Sequence, residues 1–447
     1  MTATAFLGHT DPAAIVAWRG SQALCVADFL RDVAAVANVL PARRYLVNLC
    51  TDRYRFAVGL AAGLLREQVS LLPPAQTPEL LRKLRQNYAG LYALSDVPMQ
   101  GDAIETIAYP SIDCAAGGEA PTLVFPDSQL AAIAFTSGST GEPAPYPKNW
   151  GRLALGAANA ARRLGLYGAA GIGVTSTVPA QHMYGLESSV LMPLCNGLAL
   201  QGCRPFYPAD IRAALQEIPG ERVLVITPLH LRALLAEEST LPPLRLILCA
   251  TAPLAKSVAT QAEARYGAPL YEIFGFTEAG MVASRRTTQG PQWHAMPGVR
   301  IWRQASGVKV GGGHIEFEAE FTDTVEIEDA QTFLLQGRSA DLVNIAGKRT
   351  SLAYLNQQLC AVEGVEDGVF WMPDEASRTV TRLTAFVVAP GLARDALLSA
   401  LRERIDPAFM PRPLYFVASL PRNTMGKLPL EALSRLAASC VASGSRP

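Results

Sequence analysis

Short apolar runs alternate with amphipathic stretches along the N-terminal part of the chain. Residues 24–26 predict a strand, after which Phe29, Leu30, Val33, Val36, Ala37 and Leu40 fall on one helical face. Residues 45–50 predict the next strand, Phe56, Leu60 and Leu64 the next helix, and residues 69–72 a further strand. Thr77-Pro78-Glu79 then opens a helix with a hydroxyl cap, a proline in the first position and an acid in the first turn. This alternation predicts a mostly parallel sheet covered by helices.

Residues 95–129 are richer in Pro, Gly, Asp and Ser and predict a weakly structured connection. A second α/β layer follows from Ile133, with strands near 172–177, 223–226, 244–249 and 270–273 alternating with helices over 229–237 and 256–266. Past Met296 the pattern shortens to apolar segments at 299–302, 308–310, 315–317 and 325–327, which predicts a small β-rich subdomain. A short polar stretch, 336–341, leads to a compact piece with strands at 369–372 and 384–388 and a helix over 394–404. The expected fold is α/β: a large N-terminal domain, residues 1–337, of layered α/β subdomains plus the small β-rich subdomain, and a small mobile α+β C-terminal domain, residues 338–447.

Composition narrows the function classes. The 447 residues are 49% hydrophobic and 17% charged, as in a well-packed soluble enzyme. The 39 basic and 39 acidic residues cancel and no basic block stands out, which argues against a nucleic-acid partner. The N-terminus has neither a basic start nor an apolar core, and no long uncharged apolar run occurs, so a cytoplasmic protein without a membrane span is expected. The eight cysteines are scattered without a C-x-x-C pair and the five histidines lack metal spacing, so neither a zinc site nor a disulfide set is expected.

The chemistry gathers at residues 133–143, where an apolar run breaks into hydroxyls and glycines. Gly138 and Gly141 let the backbone turn tightly around an anion, and Thr136, Ser137, Ser139 and Thr140 add hydroxyl donors, as a phosphate-binding turn requires. The spacing fits neither G-x-x-x-x-G-K-[ST] nor G-x-G-x-x-G, and Ser137 stands where a G-x-S-x-G nucleophile elbow needs glycine. In an open α/β sheet ligands bind beyond the carboxyl ends of the strands, where Thr136, His182, Thr251 and Gly275 all emerge.

Thr136-Ser-Gly-Ser-Thr-Gly141, Pro179-x-x-His182-x-x-Gly185, Phe274-Gly-Phe-Thr-Glu278, Thr322-Asp323, Gly337-Arg338-x-x-Asp341 and Gly426-Lys427 together, in this order, resemble the core motifs of the acyl-adenylate-forming family. That family includes acyl-CoA synthetases, aryl-CoA ligases and adenylation domains of peptide synthetases. The resemblance spans nearly the whole chain. It implies that a carboxylate attacks the α-phosphate of ATP, that pyrophosphate leaves, and that a thiol of CoA or of a carrier phosphopantetheine then displaces AMP.

Carried onto this sequence, the 136–141 loop would wrap the β- and γ-phosphates, Thr277 would donate to the α-phosphate, and Glu278 would hold Mg²⁺. Asp323 would accept from the ribose hydroxyls, and Arg338 would add a ribose or phosphate contact. Ala250, Thr251, Phe274 and Gly275 belong to the segments that sandwich the adenine. Lys427, on the mobile domain, would bridge the carboxylate and the α-phosphate. His182 either lines the acyl pocket or is a satisfied core histidine. Tyr184 and Ser188 would stand near the acyl group, where either hydroxyl can meet a ring hydroxyl.

The sequence also departs from the pattern. The family carries Pro-Lys soon after the second loop glycine, whereas Glu142-Pro143 is followed here by Ala144, and the next lysine is Lys148. Lys148 either loops back to the phosphates or leaves that contact missing. Ala340 replaces an acidic hinge residue and Asn344 a frequent lysine. The Gly-Glu-Pro-x-Pro-x-x-Lys-x-Trp continuation resembles a bacterial branch of aryl-polyene and xanthomonadin-type pigment pathways. That resemblance implies an aromatic acid such as a hydroxybenzoate as substrate and an acyl carrier protein as partner. A medium-chain fatty acid ligase, an enzyme that stops at acyl-AMP or uses an amine, and a degenerate adenylate-binding or carrier-docking protein are the alternatives.

Overall fold

The computed structural model describes residues 2–73, 76–99, 103–112, 120–136, 144–237, 240–305, 307–321, 323–338, 342–345, 348–372, 383–423 and 426–442. Two helix-covered sheets form the large N-terminal domain, and a smaller C-terminal domain follows.

The first sheet has the spatial order Ala144–Asn149, Leu130–Thr136, Val69–Leu72, Tyr45–Asn48, Tyr92–Ser95, Thr106–Ala108. All its pairs are parallel except the first, where Ala144–Asn149 folds back antiparallel on Leu130–Thr136 and pairs Ala144 with Thr136. The helix at Thr77 begins as its sequence predicts: Pro78 leads it, and the Thr77 hydroxyl accepts from the Leu80 N–H at 3.4 Å. The described residues of the 95–129 connection include two short strands. Thr106–Ala108 extends the first sheet, and Val124–Pro126 pairs with Ala3–Ala5.

The second sheet has eleven strands. Its parallel centre is Ile172–Ser176, Glu221–Ile226, Leu246–Cys249 and Leu270–Phe276. On one side, antiparallel strands Gly280–Arg285, Trp293–Ala295, Thr332–Arg338 and Asp323–Ile327 continue it. On the other lie Ala199–Gln201, Ile15–Arg19 and Gln22–Cys25. Three expectations therefore change. The N-terminal strand joins the edge of the second sheet, because Ile15–Arg19 finds a parallel partner in Ala199–Gln201. The small β-rich unit is a three-stranded sheet of Val299–Gln304, Gly307–Gly312 and Ala319–Glu320, and residues 315–317 are bend, not strand. The segment 325–327 belongs to the large sheet, where Thr332–Arg338 turns back to pair with it.

The helix Arg53–Leu65 is buried on nearly every side because it lies between the sheets, its Phe56, Leu60 and Leu64 packing in one core with Leu186, Val190 and Leu200. Its first residue, Arg53, is 1% exposed. One terminal nitrogen donates to the carbonyls of Gln201 and Cys203 at 3.0 and 2.9 Å, and the other to those of Ser176 and Val178 at 3.0 and 2.7 Å. A planar fork suits this work, since it meets four fixed acceptors with little further ordering. Burial lowers its pKa to about 10, still well above neutrality, so the charge persists. From the same region Gln181 donates its side-chain N–H to the Cys50 carbonyl at 2.7 Å.

The C-terminal domain has its own sheet, Asp367–Trp371, Thr384–Val388 and Leu414–Phe416, with Leu352–Cys360 and Arg394–Arg402 packed in its core. The expected domain boundary at 337/338 falls at the last residue pair of strand Thr332–Arg338.

Replacing Arg53 with Met leaves four strand-end carbonyls without their donor, and unfolding free energy should fall by roughly 3 to 5 kcal/mol, with Arg53→Lys intermediate. Denaturant unfolding of both variants checks this, and a change under about 1 kcal/mol would show that water replaces the guanidinium.

Candidate active site

The loops that follow the parallel strands carry most of the sequence-predicted site. Strand Ile172–Ser176 leads to His182, Leu246–Cys249 leads to Ala250 and Thr251, and Leu270–Phe276 contains Phe274 and Gly275 before the turn that holds Thr277 and Glu278. In the first sheet, Thr136 is the last residue of its strand and opens the hairpin that returns at Ala144. Ser137, Gly138, Ser139, Thr140 and Gly141 lie outside the described residues, as do Ala340 and Asp341.

Thr277 and Glu278 are half-buried in the tight turn between Leu270–Phe276 and Gly280–Arg285. Glycine is required on both sides. A Cβ on Gly275 would stand 2.3 Å from the Gly280 carbonyl oxygen, and Gly280 has φ +78° with a Cβ position only 2.5 Å from Glu187 Oε1. The turn is thus closed by backbone packing that no side chain can interrupt. Phe274 stacks on Phe321 with ring centroids 5.7 Å apart and planes 6° from parallel, and edges of Phe276 and Phe333 pack around it. A half-buried aromatic ring held this way is a fixed platform for a planar base.

Thr251 has φ +85°, a conformation that a β-branched residue adopts only under strain. Strain of this kind collects at ligand clamps, and here it sits directly beyond strand Leu246–Cys249. The neighbouring Cys249 is fully buried with its thiol pKa raised by burial, so it stays protonated and structural.

Asp323 and Arg338 are brought opposite each other as the terminal pair of two antiparallel strands. The sequence separates them by a whole hairpin, and the register reunites them beside Thr332–Arg338, the last strand before the C-terminal domain.

His182 caps the helix Met183–Leu186: its Nδ1 accepts from the Tyr184 N–H at 3.2 Å, which assigns the ring proton to Nε2. Burial, and then the nearby charge of Lys427, lower its pKa to about 4, so it is a neutral donor at working pH. Lys427 itself is exposed on the C-terminal domain. Its turn lies against the large domain, since a Cβ on Gly426 would be 3.5 Å from Leu229 Cβ in the helix Pro228–Ala236. The Lys427 turn is clamped from behind. Asn423 Oδ1 accepts from the Lys427 N–H at 3.0 Å, and Arg422 grips both oxygens of Asp367 at 2.7 and 2.8 Å while donating to the Gly426 carbonyl at 3.0 Å. Neither Arg422 nor Asn423 was given a role by sequence reasoning. Their position within four or five residues of the lysine was the available signal.

Three of the expected residues already have partners within the protein. Ser188 is fully buried and its hydroxyl donates to the Tyr184 carbonyl one turn back, so it is turned away from any ring hydroxyl. Tyr184 is 7% exposed, with its hydroxyl 3.5 Å from the Ile226 carbonyl and its pKa raised by burial. Lys148 is buried, and its Nζ donates to the Glu278 carbonyl at 2.6 Å. The hairpin register explains this, because Lys148 pairs with Ala132, well down the strand from Thr136, and its stem reaches under the Glu278 turn.

The residues fit the groups that the sequence resemblance implies. Glu278 offers one half-buried carboxylate at a turn, as suits a Mg²⁺ whose other ligands are phosphate oxygens and water, and among the described residues no cluster of three His, Cys, Asp or Glu could hold a metal alone. Among the same residues no helix is long and apolar enough to cross a membrane.

Residues 61–308 match the family described as "AMP-binding enzyme". The chain is 30% identical over 301 residues to the 4-coumarate–CoA ligase of Rhodobacter capsulatus, covering 66% of this chain and 74% of that one. It is 24% identical over 332 residues to the 2-succinylbenzoate–CoA ligase of Staphylococcus epidermidis, covering 67% and 68%. Its fold matches ATP-bound MatB of Rhodopseudomonas palustris with a TM-score of 0.80 at 20% identity, over 95% of this chain and 96% of that one. It likewise matches the o-succinylbenzoate CoA synthetase MenE of Bacillus subtilis, in complex with its acyl-adenylate intermediate, with a TM-score of 0.79 at 16% identity over 96% and 97%. A two-sheet domain whose strand ends carry the Thr277–Glu278 turn and the Asp323–Arg338 pair, faced by Lys427 from a smaller domain, is thus joined to a sequence match over more than half the chain: the protein belongs to the AMP-binding enzyme family.

Proposed function

We propose that this AMP-forming acid–thiol ligase activates an aromatic carboxylic acid, a hydroxybenzoate among the candidates, and transfers the acyl group to the thiol of CoA or of a carrier phosphopantetheine. The observation that carries the reading is the Lys427 turn resting on helix Pro228–Ala236 of the large domain. Support for an aromatic acid comes from the names of two relatives, 4-coumarate–CoA ligase and 2-succinylbenzoate–CoA ligase. Both are CoA ligases, which favours CoA as acceptor. A carrier thiol, as in pigment pathways of the aryl-polyene type, remains the finer alternative that the sequence pattern motivates.

In this reading the substrate carboxylate attacks the α-phosphorus, the bond to the bridging oxygen breaks, and pyrophosphate leaves with that electron pair. Lys427 stabilises the charge that gathers on the phosphorus oxygens, and the Thr277 hydroxyl donates to the same centre. His182, neutral with its proton on Nε2, can donate to the carboxylate without competing with Lys427 for charge. Asp323 accepts from the ribose hydroxyls, Arg338 adds its charge at the same end, and Phe274 supports the adenine beside Ala250, Thr251 and Gly275. Thr136, Ser137, Gly138, Ser139, Thr140 and Gly141 contribute the hydroxyl and backbone donors of the phosphate loop. Mg²⁺ held by Glu278 would neutralise phosphate charge. In the second half a thiolate attacks the acyl carbon and AMP departs. Withdrawal of the exposed Lys427 turn would open the way for that thiol.

Exchange of labelled pyrophosphate into ATP should depend on both Mg²⁺ and an aryl acid, and mass spectrometry should find the matching thioester. No exchange across a panel of aryl and fatty acids, despite ATP binding, would favour a binding-only protein. Acyl-AMP with no thioester from CoA or a loaded carrier would sink the thiol half alone. Lys427→Ala should slow exchange about 100- to 1,000-fold with the melting temperature unchanged, because the side chain is exposed. Since His182 is already neutral above about pH 4, His182→Gln should keep the shape of the exchange profile between pH 5 and 8; loss of an acid limb in that range would contradict the neutral assignment.

A further inference from the structure

Behind the Glu278 turn lies a small cavity of about 20 Å³, room for one water, lined among others by Lys148, Arg152, Glu187, His314 and Glu316. These side chains come from separate parts of the chain. Lys148 belongs to the return strand of the phosphate-loop hairpin, and Arg152 to the helix Trp150–Arg163 that follows. Glu187 opens a π-helical turn, Glu187–Leu191, and His314 and Glu316 follow the strand Gly307–Gly312. None of them belongs to the motifs that the activity uses.

What they do is grip the main chain of one turn. Lys148 Nζ donates to the Glu278 carbonyl at 2.6 Å, the Met281 N–H donates to Glu187 Oε1 at 3.4 Å, and His314 Nε2 donates to the Met281 carbonyl at 2.8 Å. The His314 ring therefore presents an unprotonated Nδ1, which is buried and has no hydrogen-bond partner among the described residues. Glu316 in turn fixes Asn149, accepting from its main-chain and side-chain N–H groups, and so locks the residue next to Lys148. A lysine taken out of water needs compensating charge, and Glu187, Glu278 and Glu316 all favour its ammonium form against burial. Glu187 is itself pushed up to about 7 by burial, with Lys148 acting in the opposite direction. The lysine and the carboxylates thus depend on one another.

We propose that Lys148 is a positioning residue for Glu278: its ammonium, compensated by Glu187 and Glu316, holds the Glu278 main chain so that the carboxylate faces Mg²⁺·ATP in one orientation. Through the same contact the return strand Ala144–Asn149 is tied to the Glu278 turn. Lys148 thus acts on the Glu278 carboxylate through the main chain of its turn. This inference rests on the adenylation reading for its purpose, but its geometry concerns Mg²⁺·ATP alone.

The test uses the full-length protein with Lys148→Met and the double variant Lys148→Met/Glu187→Gln. The Mg²⁺ concentration giving half of the ATP-induced rise in melting temperature is measured, and beside it the Mg²⁺ half-saturation of pyrophosphate exchange. Lys148→Met should raise both about tenfold, as loss of a supporting contact does at metal sites, with the KM for the acid within twofold. It should also lower the melting temperature of the free protein, because Glu187 and Glu316 lose their cation. The double variant should recover the melting temperature and keep the weakened Mg²⁺ response. Mg²⁺ half-saturation unchanged in both variants, or recovered along with stability in the double variant, overturns the proposal. A normal Mg²⁺-dependent thermal shift without exchange in the unsubstituted protein would reject adenylation while leaving the positioning role standing. No ATP-induced shift at all would reject both.

Discussion

The strand end that leads to His182 is tied to its neighbour by a single guanidinium. Parallel strands finish with their carbonyls pointing out of the ladder, and where Ile172–Ser176 and Ala199–Gln201 end side by side, four such oxygens converge with no neighbouring strand to satisfy them. Arg53 closes that gap from the first turn of a helix whose remaining length is packed in the core shared by both sheets. The chain between Ser176 and His182 therefore leaves the second sheet at a point fixed by the first. Gln181 repeats the arrangement on a smaller scale at Cys50. Orienting a neutral imidazole to within hydrogen-bond precision requires a frame of this rigidity.

The two lysines near the site show how burial divides labour between identical side chains. Lys427 is exposed on the smaller domain. Lys148 is sealed among carboxylates, where burial lowers its pKa, and it works through a backbone carbonyl. In the proposed reaction an ammonium that meets the transition state would have to arrive from the smaller domain, whereas one that holds a turn stays beneath it.

The strand–helix order, the helix over 256–266 and the Thr77 cap were legible because each rests on local signals: apolar periodicity, capping chemistry and proline placement. The Phe274–Glu278 and Gly426–Lys427 motifs were legible because close backbone approach restricts which residues fit. What the sequence hid was long-range. Arg53 looks like any polar residue at a helix start, and its burial depends on strands about 120 to 150 positions away. Ser188 looked like a pocket hydroxyl, but in a continuous helical run its oxygen is satisfied one turn back. The destination of Lys148 depended on the register of a hairpin, which shifts every side chain by face and depth and leaves no trace in a motif.

The clamp of Arg422 and Asn423 behind Lys427 bears on how the small domain can move. A reactive tip on a slack loop would have to be re-ordered at every cycle, losing conformational entropy each time it engaged. Braced against Asp367 at the edge of its own sheet, the Lys427 main chain is held in place beforehand, so in the proposed reaction that penalty would be met in advance.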